Sequence, residues 1–189
     1  MNREDRAPTA TTNCWRITGW SIAVLLLLLP LAAMQVTPEV TWTASDFMVA
    51  GVLIGSAGLA IELAFKRQSH RCYSAGVVLL TVTCFALTWI NAAVGIVGND
   101  HATLSLLFPV IVMLALVVAA AGRFRALALA RGSTAAAAAQ AMLGIVAVAI
   151  ADPGYVVGVV AFHALVIAAL LAAATLFCRA GAADASDPR

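Results

Sequence analysis

The sequence predicts an all-α membrane protein, a bundle of six transmembrane helices with both termini cytoplasmic. Three observations predict it. First, 63% of the 189 residues are hydrophobic and only 11% are charged. An ordinary soluble domain is roughly 25% charged, so this chain has too little polar surface for water and needs lipid as its solvent. Second, the apolar residues fall into runs of the length a spanning helix needs, about 20 residues. Third, the basic residues follow the runs. The eleven lysines and arginines fall at or before Arg16, in the stretches 66–73 and 122–132, or in the C-terminal tail. The alternate loops carry Glu39, Asp46, Asp100 and Asp152 and no lysine or arginine. Lysine and arginine stay on the cytoplasmic side of a membrane. An even number of spans then puts both ends there.

Residues 1–15 are polar, carry Arg3, Glu4, Asp5 and Arg6, and read as a disordered cytoplasmic tail. A single six-helix domain follows over 16–178, and 179–189 read as a second disordered tail. The first span is expected at about 17–36. A signal peptide is the rival reading, because Arg16 precedes an apolar core. Its cleavage site would be poor, since Ala32-Ala33-Met34 puts a large residue where a small one is wanted. The segment therefore reads as a retained anchor, bent at Pro30. The loop 37–46 holds Trp42, suited to the headgroup level. Ser45 or Asp46 is expected to cap the next helix by accepting from its free amides.

The second span, about 47–65, contains Gly51, Gly55 and Gly58. Gly51-x-x-x-Gly55 lets another backbone approach closely, so this face is expected to pack against a helix. Glu62 is expected to pair with Lys66, four residues on. The third span is expected at about 75–98. Its outer half mixes Trp89, Asn91, Gly95 and Gly98. Asn99-Asp100-His101 turns into the fourth span, about 102–121, kinked at Pro109. The stretch 122–132 reads as a basic loop with Arg123, Arg125 and Arg131. The fifth span, about 134–151, is mostly alanine with Gln140 inside. Asp152-Pro153-Gly154 is a tight turn, and the sixth span, about 155–178, contains His163. No internal repeat is evident.

Several stretches carry a resemblance. They are Pro30-Leu31-Ala32-Ala33-Met34-Gln35-Val36-Thr37-Pro38-Glu39-Val40-Thr41-Trp42 with Asp46-Phe47, then Glu62, then Trp89-Ile90-Asn91-Ala92-Ala93-Val94-Gly95-Ile96-Val97-Gly98. Arg123-Phe124-Arg125 and Ala139-Gln140-Ala141 fit more loosely. The chain thereby resembles, over roughly residues 25–148, a family of uncharacterised small bacterial multi-pass inner-membrane proteins. It departs from that pattern after Gly98, where its outer turn is shorter. It also lacks a proline and a Gly-Met pair in the 122–132 stretch. The family carries no assigned activity, so the resemblance implies a fold and the bacterial inner membrane, not a reaction.

Candidate chemistry is sparse. Asn91 is the sharpest case, because a primary amide at membrane depth needs partners and polar residues there often mark pathways. Its plain reading is an interhelical hydrogen bond, to a carbonyl freed by Pro109 or to His163. His163 reads plainly as a neutral histidine bonded to a neighbouring helix. Haem would need a second histidine at matching depth, and neither His70 nor His101 supplies it. Asp46, Asp100 and Asp152 sit at outer helix ends as caps and turn residues, or as an acidic mouth for a cation. Gly95, like the glycines of the second span, reads as a packing residue. The cysteines Cys14, Cys72, Cys84 and Cys178 match no zinc or redox spacing and are expected as free thiols.

No nucleophile elbow, zinc-protease pair or phosphate-cradling loop is present in the sequence. The expectation is no enzyme, no cofactor and no metal, with the lipid bilayer as the first partner and no nucleic acid. Two function classes stand. One is a structural or accessory membrane component that packs against itself as a homo-oligomer or against a membrane-protein partner. The other is a small transporter or channel for a cation or polar solute.

Overall fold

The computed structural model describes residues 10–38, 40–67, 70–94, 122–151 and 153–186, with the side chains at 10–15, 67, 91–94 and 184 outside the description. Five α-helices make up these residues, with no strand among them: α1 (Ala10–Val36), α2 (Ala44–Arg67), α3 (Arg71–Val94), α4 (Ala126–Ile150) and α5 (Val156–Ser186). All five are long and apolar enough to cross a membrane. By length and composition they suit the spans of a multi-pass membrane protein. They correspond to the first, second, third, fifth and sixth predicted spans. The fourth, about 102–121, lies outside the described residues, as do Gly95, Asp100 and Asp152.

The helices overrun the apolar segments that predict them. α1 begins at Ala10, inside the stretch expected to be a disordered tail. α4 begins at Ala126, so the expected basic loop shrinks to Gly122–Arg125 and Arg131 stands on a helix. α5 continues to Ser186, through most of the expected C-terminal tail. The physical reason is that helical hydrogen bonds are local and do not stop at the membrane surface. Ala126-Leu-Ala-Leu-Ala and Ala180-Gly-Ala-Ala are rich in alanine, the best helix former. At 1.5 Å per residue the 31 residues of α5 span about 46 Å, more than the roughly 30 Å of hydrocarbon.

The chain divides into two compact units, Met1–Leu63 and Ala64–Arg189. In the first, α2 opens with the carboxylate half of a capping box. Thr43 is the cap residue. Its backbone N–H donates to Asp46 Oδ2 at 2.7 Å, and its hydroxyl donates to the same oxygen at 2.7 Å. Asp46 thus accepts a free amide at the helix start from the third helical position, one of the two capping residues the sequence offered. The indole of Trp20 on α1 lies 3.4 Å from where a Cβ of Gly58 would stand. Most large apolar side chains of α1, from Ile17 to Val36, are exposed, as a lipid-facing helix requires.

The second unit is packed more closely. α5 lies against both α3 and α4. One cluster gathers Tyr73, Ala126, Leu129, Ala130, Ala173, Phe177 and Ala180, and a second gathers Leu87, Ala136, Ala137, Val166 and Leu170. Small residues on α4 allow the approach. Phe177 is fully buried, and its ring sits 2.9 Å from where a Cβ of Gly76 would be. Tyr73 meets Phe177 edge to face, with centroids 5.8 Å apart.

The turn before α4 is strained. Arg123 and Phe124 have φ of 52° and 55°, a left-handed conformation that costs a non-glycine residue about 1–2 kcal/mol. The Tyr73 hydroxyl donates to the Phe124 carbonyl at 2.9 Å, and the Arg125 N–H donates to the Gly122 carbonyl at 3.1 Å. These bonds hold the turn in that conformation.

Candidate functional site

Among the described residues, the most buried polar side chains of the second unit lie between α4 and α5. Gln140 is 0% exposed, His163 4% and Ser133 1%. Ser133 and Gln140 are seven residues apart, two turns on one face of α4. Gln140 Nε2 lies 3.1 Å from His163 Nδ1. An amide nitrogen donates and has no lone pair to offer, so Nδ1 accepts and the ring proton sits on Nε2. Gly144, one turn along α4, makes room for the ring, since a Cβ there would stand 3.0 Å from His163 Cγ. The Phe162 ring meets the imidazole edge to face at 5.6 Å. Among the described residues, Gln140 Oε1 and Ser133 Oγ have no hydrogen-bond partner.

A second polar group stands in the first unit, toward the N-terminal end of α1 and the C-terminal end of α2. Arg16 Nη2 lies 2.6 Å from Glu62 Oε1, and Trp20 Nε1 donates to Glu62 Oε2 at 3.3 Å. Both carboxylate oxygens are engaged across two helices. The sequence pointed to Lys66, four residues on, as a partner of Glu62; Arg16, 46 residues away, is a partner that sequence spacing does not reveal. A groove of about 800 Å³ runs along α1 beside this group, lined by Arg16, Ile17, Trp20, Ser21, Val24 and Leu25. Of the polar candidates with described side chains, Asp46 and His163, neither lines it.

The structure scatters those candidates. His163 is buried and bonded to a neighbouring helix. Asp46 is an exposed capping residue. Asn91 lies on α3, with its side chain outside the description, and Asp100 and Asp152 lie outside the described residues. Among the packing glycines, Gly58 meets Trp20, whereas a Cβ at Gly51 or Gly55 has no described atom within 4 Å. Gly95 lies outside the described residues. The close approaches are at Gly76 and Gly144, which the sequence did not single out. Gln140 was legible as a polar residue inside a span, but nothing in the sequence paired it with His163.

Among the described residues no three of His, Cys, Asp and Glu converge to hold a metal ion. No protein-family model, curated protein or solved structure matches the chain.

Proposed function

We propose that this chain is a structural or accessory component of the bacterial inner membrane, without enzymatic activity, crossing the bilayer six times with both termini in the cytoplasm. It would belong with the small multi-pass inner-membrane proteins that its Pro30–Trp42 and Trp89–Gly98 stretches resemble, and would pack against a second copy or a membrane-protein partner. The observation that carries the reading is the Gln140–His163 bond. The amide and the imidazole are used on each other, across two helices, inside a packed apolar cluster. A buried pair of that kind fixes how two helices register. The Arg16–Glu62 pair ties α1 to α2 in the same manner.

The orientation follows from the basic residues. A reporter active only in the cytoplasm, fused after Arg67 or Arg125, is expected to give signal, and after Asp100 or Pro153 none. The reverse pattern at either pair would contradict the six-span topology. Function is tested by capture of a stoichiometric membrane-protein partner, or of a second copy, from mild detergent.

One observation favours a transporter or channel as the second reading. Gln140 Oε1 and Ser133 Oγ are buried polar atoms with no partner among the described residues, and such atoms ordinarily bind water or a ligand. A screen for solutes that raise the melting temperature separates the readings. A cation or polar solute that stabilises wild type but not Gln140→Leu would favour transport.

A further inference from the structure

The turn that precedes α4 presents an unusual surface. Gly122–Arg125 places Phe124 between two arginines, and Phe124 is 47% exposed although it is a large apolar residue. Arg123 and Arg125 are both exposed. The turn sits where the ends of three helices meet. Tyr73, in the first turn of α3, donates to the Phe124 carbonyl at 2.9 Å. Ala126, the first residue of α4, lies beside Gly181 near the end of α5, 3.8 Å from the position of a Cβ there. Two more exposed arginines flank these contacts, Arg71 two residues before Tyr73 and Arg179 two residues before Gly181. One end of the unit thus carries four exposed guanidinium groups and an exposed phenyl ring.

We propose that this end of the unit is a recognition surface for anionic phospholipid, with Phe124 seated at the headgroup boundary and Arg71, Arg123, Arg125 and Arg179 on lipid phosphates. The proposal rests on the membrane reading above. The candidate spans begin at Arg71 and Ala126 and end at Ala183, so the turn stands at the level of the headgroups. An aromatic ring suits that level, and a guanidinium binds phosphate through two parallel hydrogen bonds. Ring and charge side by side fit a lipid, which offers apolar and anionic surface together. The left-handed backbone at Arg123 and Phe124, where φ is 52° and 55°, gives the turn a defined shape. Strain of this kind collects at functional sites. Tyr73 is the positioning residue that holds the turn through its hydroxyl.

The test uses the full chain in phosphatidylcholine nanodiscs containing a minor fraction of phosphatidylglycerol, with spin-labelled lipids reporting relative association. Wild type is expected to prefer phosphatidylglycerol over phosphatidylcholine, and the preference is expected to fall as salt rises. Arg123→Gln and Arg125→Gln are each expected to reduce it about five-fold, whereas Arg123→Lys with Arg125→Lys retains most of it. Tyr73→Phe keeps every charge and is expected to lose part of the preference. Equal association of the two lipids with wild type, at low salt, would overturn the proposal without any variant having to fold. Glycerol phosphate in solution displacing the lipid would overturn it too, by showing a site for free phosphate. Failure of the membrane reading would look different, as a chain that alkaline carbonate releases from bilayers of either composition.

Discussion

The two units solve the problem of holding helices together in lipid by different means. In Met1–Leu63, the ties between α1 and α2 include the salt bridge from Arg16 to Glu62, the Trp20 indole on that carboxylate and the same indole on Gly58. Apolar side chains of α1 are mostly exposed. In Ala64–Arg189, the described helices share two buried clusters, small residues bring them close, and a buried polar bond joins Gln140 to His163. Lipid tails are as apolar as leucine, so burying more leucine gains little there. What remains is close packing and hydrogen bonding. The first unit relies on a few polar ties at one level, and the second on packing distributed along its helices. Changes in the second unit should therefore cost more.

The largest expected difference is at the aromatic residues. Phe177→Ala empties a fully enclosed site. The water-to-oil part of the usual cost falls away in a bilayer, but the cavity part remains, about 2 kcal/mol. Trp20→Ala, at a side chain 41% exposed, is expected to cost well under half of that. Reversible unfolding in bicelles measures both. Equal losses would break the contrast between the units.

Glycines give the next largest difference. At Gly76 a new Cβ would stand 2.9 Å from the Phe177 ring, and the ring is enclosed with nowhere to move. Gly76→Ala is expected to cost about 1–2 kcal/mol by overpacking. At Gly51 and Gly55 no described atom lies within 4 Å. Alanine there is expected to be neutral or to raise the melting temperature, since alanine favours helix over glycine. If Gly55→Ala destabilises as much as Gly76→Ala, the Gly51–Gly55 face is a contact surface, as its spacing suggests.

The smallest effect belongs to the salt bridge. The Arg16 side chain is 41% exposed and that of Glu62 12%, so solvent screens the pair. Glu62→Gln is expected to cost about 0.5 kcal/mol, with less loss at high salt. A salt-independent loss above that of Phe177→Ala would reverse the ranking.

How much of this was legible in the sequence depends on range. The runs 17–36, 47–65 and 155–178 located three helices because hydropathy is a local property. The ends were not legible from it. Hydropathy marks where lipid stops, and alanine-rich flanks such as Ala126–Ala130 carry the helix beyond that point. Asp46 was recognised at its helix start, and its carboxylate does accept a backbone amide there; that the amide is Thr43's depends on backbone angles within one turn. His163 was recognisable as a buried polar residue seeking a neighbouring helix. Its partner Gln140, 23 residues away, depended on how α4 and α5 rotate against each other. That rotation is set by Gly144 and the small residues around it, and their pattern in an alanine-rich span has no face that hydropathy distinguishes. Likewise Glu62 offered Lys66 within one turn, while nothing local pointed to Arg16, which reaches it across helices.

The central claim is that Gln140 and His163 are used on each other to fix α4 against α5. A double-mutant cycle tests it most directly, comparing wild type, Gln140→Leu, His163→Leu and the double variant by reversible unfolding in bicelles. The account predicts a favourable coupling of about 0.6 kcal/mol, and no more than about 1.7, the range for single hydrogen bonds between helices in membranes. Losses that simply add, with no coupling, would contradict it.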